Sequence, residues 1–294
     1  MLTIFSIPKP FTGHTGIIQE NAIRSWISCI PGVEVILLGD EEGTGDVAIR
    51  YGCRHIPFIE LNESGTPILS YAFEKVQEIA IYDQICYVNG DIIFLSGVSR
   101  ALASIKSPRF LMVGRRTNLD VSILINLQDP IERKTLANRV NDFGEQDKPW
   151  AIDFFIFPKG QVRNMPRFVV GRAGWDNWMI WYHTKSIRVP VIDATPVVVA
   201  VHQKHDYGHV RNGSGAQWEG PESEANRMIM GGWERRYYSI LDSDYYIRPD
   251  GEIKWTRISS AFLKQKGKRM IIALIPDSLL QKIRMMNASG RGKR

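Results

Sequence analysis

The fold is decided by residues 84–96, QICYVNGDIIFLS. Two apolar runs, residues 85–88 and 92–95, flank Asn89-Gly90-Asp91. Asn-Gly between apolar runs predicts a β-hairpin with a type I′ turn. The alternative is that Asp91 stands at the tip of a buried strand and faces a ligand cleft. The strand and helix patterns around this stretch are needed to distinguish the two interpretations.

Before this stretch, strand patterns alternate with helix patterns. LTIFSI, VEVILL and RHIPFIEL read as extended, and IIQENAIRSWISCI, GDVAIRYG and YAFEKVQEIAIY have helical apolar spacing. Such alternation predicts a parallel sheet with right-handed crossovers, whose ligand crevice lies beyond the carboxyl ends of the strands. The segments at or just beyond these strand ends are residues 6–11, 39–44 and 89–91. None of them is a GxGxxG or GxxxxGKS loop, which disfavours a dinucleotide fold or a P-loop enzyme.

Composition places the chain among globular proteins, since 44% of its 294 residues are hydrophobic and 23% are charged. The sequence has no apolar run of about 18 residues, so no transmembrane helix is expected. The N-terminus lacks the pattern of a secretory signal. Cys29, Cys53 and Cys86 lie in apolar contexts and are expected to be small buried hydrophobes in a reducing compartment. We therefore expect a cytoplasmic protein.

The basic residues are concentrated at the end of the chain. Residues 264–294 carry a net charge of +8, which leaves −2 for the remaining 263 residues. A nucleic-acid binder usually spreads its cations over a folded face, so nucleic acid is not an expected partner. The basic tail, with its apolar segment MIIALIPDSLLQKIRMM, suits peripheral contact with the inner face of an anionic membrane. The alternative is a terminal helix packed on the body.

The αβ order, with a carboxylate after the fourth strand, resembles the GT-A fold of nucleotide-sugar glycosyltransferases over about residues 2–209. YVNGD and WDNW also resemble segments of bacterial glycosyltransferase-like proteins. In that family an Asp-x-Asp motif binds a divalent metal, and here Asn89 replaces its first acid. The resemblance implies an α/β fold with a GT-A-like mixed, mainly parallel sheet flanked by helices.

The resemblance also implies a domain organisation. A catalytic domain would cover residues 1–210, with a nucleotide-sugar half at about 1–100 and an acceptor half at about 101–210. A C-terminal extension with a basic helical tail would cover residues 211–294. The implied activity is metal-dependent transfer of a sugar, with inversion, from a nucleoside-diphosphate sugar such as a UDP-sugar. The acceptor would be a hydroxyl of a glycan or of a lipid-linked molecule.

A hard cation neutralises the diphosphate that leaves in such a reaction, so the expected cofactor is Mn²⁺ or Mg²⁺. Asp91 is the first candidate ligand. HQKHDYGH, residues 202–209, supplies His202, His205 and Asp206, and an imidazole ligand favours Mn²⁺. The sequence does not choose between His202 and His205. The alternative is a solvated loop of neutral histidines beside a hairpin-tip carboxylate.

An attacking hydroxyl needs a base, and Asp176 in GRAGWDNW is the candidate. Trp175 and Trp178 beside it could stack on the acceptor sugar. Alternatively, Asp176 is a helix N-cap and the tryptophans are core residues. Asp153, inside the apolar WAIDFFIF, could hold sugar hydroxyls or form a structural ion pair with Arg172, Arg115 or Arg116.

The remaining donor-binding candidates follow strands. By the resemblance, Ser6, Ile7 and Pro8 would meet the nucleobase, and Asp40 the base or ribose. Arg115 would contact phosphate, although a solvated arginine is the alternative. Together with Asn89, Asp91 and Asp153 they form the predicted donor site.

Two other functions compete with glycosyl transfer. A sugar-phosphate nucleotidyltransferase usually has a Gly-rich basic loop near its N-terminus, whereas FSIPKPFTGHTG has few glycines and a single lysine. A non-catalytic glycan-binding protein would use the eight tryptophans and need neither nucleotide nor metal.

Overall fold

The computed structural model describes residues 1–205, 220–275 and 279. The strands are β1 (Leu2–Ser6), β2 (Glu34–Leu38), β3 (Arg54–Ile56), β4 (Gln84–Val88), β5 (Ile92–Ser96), β6 (Leu111–Leu119), β7 (Glu145–Gln146), β8 (Ile152–Pro158), β9 (Val191–Asp193), β10 (Val199–Gln203), β11 (Tyr245–Ile247) and β12 (Ile253–Trp255). The α-helices are α1 (Gly13–Cys29), α2 (Thr44–Tyr51), α3 (Leu69–Ile79), α4 (Val98–Ser104), α5 (Pro130–Phe143), α6 (Trp175–Trp181), α7 (Pro221–Ile229) and α8 (Ser260–Ala273). A π-helical turn (Tyr182–Ser186) follows α6, and two 3₁₀ segments (Trp233–Tyr237 and Ile240–Asp242) precede β11.

The strands form one mixed sheet. Its main path runs β12-β11-β9-β6-β8-β4-β1-β2-β3, with β10 joined to β5 and β6, and β7 joined to β6. β4, β1, β2 and β3 are parallel neighbours, whereas β8 is antiparallel to both β4 and β6. The predicted fold class, a mixed, mainly parallel sheet flanked by helices, is confirmed.

Of the two interpretations of Asn89-Gly90, the structure excludes the hairpin and leaves the one in which Asp91 follows a buried strand. β4 pairs with β1 and β8, whereas β5 pairs with β10, so the two strands diverge after the turn. A type I′ turn needs positive φ at both central residues, and neither Asn89 nor Gly90 has it. The N–H of Ile92 donates to the carbonyl of Asn89 instead, at 3.2 Å, which makes Gly90 and Asp91 the central residues of the turn. The turn is a corner between two parts of the sheet.

Apolar side chains cover both faces of the parallel strands. On β1, Phe5 packs with α3 on one face, while Leu2 and Ile4 pack with Trp26 of α1 on the other. Phe5, Leu2, Ile4 and Trp26 are each at most 1% exposed. This two-sided burial explains why the parallel strands read as continuous apolar runs. The three cysteines are unpaired; Cys86 is buried in the sheet as predicted, whereas Cys29 and Cys53 are partly exposed, so the prediction that they are buried is wrong.

The C-terminal part of the chain adds to the same sheet. β11 lies parallel to β9 and antiparallel to β12. The predicted division at residue 210 therefore falls between strands of one sheet, although the assignment of the two parts stays a prediction. α8 packs on the 3₁₀ segments, where Arg269 pairs with Asp242. Within the described residues no helix combines the length and apolarity needed to cross a membrane.

Candidate active site

A cleft of about 310 Å³ opens at the carboxyl ends of β1 and β4. Eight of the predicted site residues line it: Ile7, Asn89, Asp91, Asp153, Trp175, Asp176, His202 and His205. They come from separate parts of the chain, and the sheet brings them together.

Strand register places His202 beside Asp91. In the antiparallel pair of β10 and β5, His202 stands opposite Ile92, the residue after Asp91. In the parallel pair of β10 and β6, His202 stands next to Asn118. Gln203 then holds the corner, because its Nε2 and its backbone N–H both donate to the carbonyl of Asp91, at 3.1 and 3.2 Å. His205 lies just beyond the end of β10.

Asp91, His202 and His205 form a cluster of possible metal ligands. Oδ2 of Asp91 lies 3.1 Å from Nε2 of His205 and 3.7 Å from Nε2 of His202. Ligands about 2 Å from a common divalent ion would lie about 3 Å from one another, so the three side chains can converge on one ion. In the part of the chain that the structure describes, the buried Oδ1 of Asp91 has no hydrogen-bond partner. A buried carboxylate oxygen left without a partner is costly, and a cation would satisfy it.

The surroundings of His202 leave one of its nitrogens available for a ligand. Nδ1 lies 2.9 Å from Oδ1 of Asn118, which fixes Nδ1–H as a donor and leaves Nε2 as an acceptor directed at Asp91. Asn118 is held in turn by a 3.0 Å bond from its Nδ2 to Asp147. Burial lowers the pKa of His202, against the attraction of Asp91, which favours the neutral ring that binds metals.

Asp91 itself is kept ionised. Burial acts to raise the pKa of this carboxyl, but the hydrogen bond from His205 and the positive charge of Lys9 outweigh it. The pKa of Asp91 consequently lies well below its usual value. One ionised carboxylate and two imidazoles therefore fit a divalent cation, and Mn²⁺ suits this mixed set of oxygen and nitrogen ligands better than Mg²⁺.

Asp153 is held by a second network. Nδ2 of Asn89 donates to Oδ1 of Asp153 at 2.7 Å, and Nη1 of Arg116 donates to Oδ2 at 3.0 Å. The hydroxyl of Tyr87 donates to Oδ1 of Asn89 at 3.1 Å. Burial raises the pKa of Asp153, while Arg116 opposes the rise. The ion pair predicted for Asp153 is thus made by Arg116, and Arg172 pairs with Glu222 instead, at 2.6 Å.

Asp176 lies in the first turn of α6. Its Oδ1 accepts a 3.3 Å bond from the N–H of Gly174, the residue that caps the helix. Gly174 has φ +114°, a conformation that favours glycine. Burial raises the pKa of Asp176 to about 6. A carboxylate with that pKa takes up a proton more readily than an ordinary aspartate at neutral pH.

Several predicted residues lie outside the cleft. Ser6 and Pro8 are buried, and Asp40 is exposed beyond β2. Trp178, predicted to bind acceptor, is a core residue that is 3% exposed and stacks on Tyr182 at 4.6 Å. Asp206 and the histidine at 209 lie outside the described residues.

Arg115 also misses the cleft, and the sheet explains why. The register of β6 against β8 shifts between Val113 and Arg115. Such a bulge redirects the side chains that follow it. Arg115 consequently donates to the backbone oxygen of Asp147, and Arg116 faces Asp153.

The cleft also contains Lys9 and Trp150, which were not among the predicted site residues, and Arg172 and Arg116, which the sequence offered only as possible partners of Asp153. Trp150 is 54% exposed at the cleft and so offers an accessible aromatic face. In the sequence, the feature that could have indicated Trp150 as a binding residue is that it is an isolated tryptophan at the end of the polar segment GEQDKPW. Lys9 follows a predicted strand and lay within the segment already singled out.

Neither a protein-family model nor a curated protein matches the chain. Among solved structures, the chain is similar to M. tuberculosis glucosyl-3-phosphoglycerate synthase in complex with Mn²⁺, UDP and phosphoglyceric acid. The identity is 11%, the TM-score is 0.44, and the match covers 79% of this chain and 78% of that one. It is also similar to S. aureus TarS 1-349 in complex with UDP, with 14% identity and a TM-score of 0.33. That match covers 40% of this chain and 36% of that one, so the match spans little more than a third of the TarS structure.

Proposed function

We propose that this protein is a metal-dependent glycosyltransferase that moves a sugar from a nucleoside-diphosphate sugar, with UDP as the proposed nucleotide, to a hydroxyl acceptor. The observation that carries the proposal is one cleft that holds both a metal-ligand cluster, Asp91, His202 and His205, and a separate carboxylate with a raised pKa, Asp176. Glycan-binding alone would require neither group.

The proposed metal site is formed by the carboxylate of Asp91 and Nε2 of each histidine. When bound there, the cation would supply positive charge against which the donor's diphosphate can leave. Lys9 also lines the cleft and adds positive charge near it, and Arg172, which is paired with Glu222, lies there as well. This arrangement suits a ligand that becomes more negative as its bond to the sugar breaks.

In the proposed reaction, Asp176 takes the proton of the acceptor hydroxyl. The acceptor oxygen forms a bond to the anomeric carbon while the bond from that carbon to the diphosphate oxygen breaks. The electron pair of the broken bond leaves with the diphosphate. A single displacement of this kind inverts the anomeric centre. A pKa of about 6 leaves Asp176 ionised near neutral pH yet basic enough to assist the attack.

The remaining groups would position the sugars. Asp153 uses one oxygen for Asn89 and the other for Arg116, and each carboxylate oxygen has a further lone pair that can accept a sugar hydroxyl. Trp150 replaces Trp178 as the proposed stacking surface for a glycan or lipid-linked acceptor, since its ring is accessible. Trp175 is 6% exposed and packs edge-on against Tyr87 at 4.9 Å, so we propose that it shapes the cleft wall.

The test is release of nucleoside diphosphate from a panel of UDP-, GDP-, CDP- and ADP-sugars, with Mn²⁺ or with EDTA. We expect turnover of one donor class that requires the metal. Asp176→Asn should lower transfer by about 10²–10⁴-fold while donor binding is retained. Asp46→Ala, which changes an exposed acid in the first turn of α2, is the matched control and should have no effect. Full transfer by Asp176→Asn would refute the assigned base, and no metal-dependent turnover of any donor would refute the function.

A further inference from the structure

The surface of α8 carries an apolar stripe formed by Leu263, Met270 and Ile271, which continues at Leu274, the residue that caps the end of the helix. These side chains are 56%, 63%, 62% and 84% exposed. Their spacing of seven, eight and eleven residues from Leu263 puts them on one side of a helix. Isolated exposed apolar residues are ordinary, but four on one helical face form a patch that needs an explanation.

The opposite side of α8 is the one that packs on the protein. Gln265 donates to Oγ of Ser239 at 3.1 Å, and Arg269, which is 8% exposed, pairs with Asp242. The guanidinium of Arg269 also lies 4.2 Å from the ring centroid of Tyr238. These contacts fix the rotation of the helix, so the apolar stripe is held outward.

The charges beside the apolar stripe are all positive. Lys264, Lys266 and Lys268 are exposed and lie between Leu263 and Met270 in the sequence. At about 100° per residue, Lys264 and Lys268 fall on one flank of the stripe and Lys266 on the other. Between residues 253 and 276 the sequence has no aspartate or glutamate. In the described part of the chain, no ion pair engages these three lysines. An apolar face flanked by unneutralised lysines matches an anionic lipid surface, where acyl chains meet negatively charged headgroups.

We propose that α8 is a membrane-docking element that seats its apolar stripe in the headgroup region of an anionic bilayer, with Lys264, Lys266 and Lys268 contacting lipid phosphates. Charge complementarity favours this occupant over a second copy of the chain, because two copies would bring these lysines together. Trp255 and Ile258, just before the helix, are 71% and 73% exposed and extend the apolar surface along the chain. The inference rests on α8 and its flanking residues and does not depend on the proposed glycosyltransferase activity.

The experiment is sedimentation of the full-length protein with vesicles of phosphatidylcholine alone or with about a third phosphatidylglycerol. We expect binding to the anionic vesicles that weakens as salt is added. Leu263→Ser with Leu274→Ser should lower the partition coefficient at least about tenfold. Replacing the three lysines by glutamine should lower it about fivefold per lysine, or roughly a hundredfold together.

The matched control is Ile131→Ser with Phe143→Ser on α5. These two side chains are 75% and 71% exposed, and α5 has no comparable series of lysines. The control should bind like the wild type, and unchanged thermal unfolding would show that each variant folds. Binding that survives both α8 variants but disappears when residues 276–294 are removed would overturn the proposal, since it would belong to the tail. Absence of vesicle binding would also overturn the proposal. So would a protein that forms dimers or larger assemblies instead of binding vesicles, if Leu263→Ser with Leu274→Ser abolishes that self-association.

Discussion

Replacing Asn89 by aspartate introduces an acid beside the buried Asp153, and we expect this to destabilise the fold. Nδ2 of Asn89 donates to Oδ1 of the buried Asp153 at 2.7 Å. Asn89→Asp removes a donor to a charged acceptor, which costs about 1.5–3 kcal/mol. It also places a second carboxylate about 4 Å away, a repulsion of roughly 4 kcal/mol at an effective dielectric constant near 20.

Proton uptake limits this repulsion, because the two carboxylates can share one proton. The pKa of the pair is then raised in the folded state, so the penalty grows as pH rises and shrinks as pH falls. We expect Asn89→Asp to lower the free energy of unfolding by about 3–5 kcal/mol near pH 8, and by about 1–2 kcal/mol near pH 5.

The assay is urea unfolding of wild type, Asn89→Asp and Asn89→Ala in EDTA, which keeps metal ions from binding the new carboxylate. Asn89→Ala loses the donor to Asp153 without adding a charge, so its penalty should rise less steeply with pH than that of Asn89→Asp. The reasoning is refuted if Asn89→Asp is as stable as wild type near pH 8, or if its penalty has the same pH dependence as that of Asn89→Ala.

Three further predictions concern ionisation and the backbone. Asp176 has its pKa raised from 3.8 to about 6, so its ionisation destabilises the fold as pH rises through that range; Asp176→Asn should raise the free energy of unfolding by about 1–3 kcal/mol near pH 8, and no gain in urea unfolding would contradict this. Burial lowers the pKa of His183 from 6.5 to about 4. The neutral ring therefore contributes fully to the free energy of unfolding above pH 6.5, and about 3 kcal/mol of that contribution is lost as pH falls towards 4. If His183→Gln leaves the pH dependence of stability unchanged, this prediction is wrong. Gly97 has φ +94°, and a Cβ added to it would lie 2.0 Å from the carbonyl oxygen of Val197. Thermal melting should therefore show that Gly97→Ala is destabilised by more than about 3 kcal/mol, whereas Gly52→Ala, at φ +67° with open space around it, should lose about 1 kcal/mol. Equal losses would refute the steric argument.

The sequence predicted the parallel half of the sheet and the position of Asp91 because both depend on local patterns. Apolar runs and helical spacing mark β1, β2 and β4 without knowledge of the rest of the chain. His202 and His205 are predicted from a cluster of histidines that follows an apolar run, and Asp176 is predicted from the resemblance; all three line the cleft with Asp91.

The errors came from contacts made across long sequence separations. Asn89-Gly90 looked like a hairpin because its turn chemistry is local, whereas β5 pairs with β10 about a hundred residues later. The choice of Arg115 over Arg116 required the bulge in β6, which no local signal marks. Trp178 and Trp150 could not be ranked, because burial of an aromatic ring depends on which elements pack over it.

The most direct test of the central claim is calorimetric titration of Mn²⁺ and UDP, each alone and each in the presence of the other. If Asp91, His202 and His205 hold a cation that the nucleotide shares, each ligand should tighten binding of the other by the same factor, roughly 5–150-fold. Asp91→Ala should abolish this coupling, and Asp46→Ala should preserve it. UDP binding that is unchanged by EDTA, or Mn²⁺ binding that is unchanged in Asp91→Ala, would contradict the account.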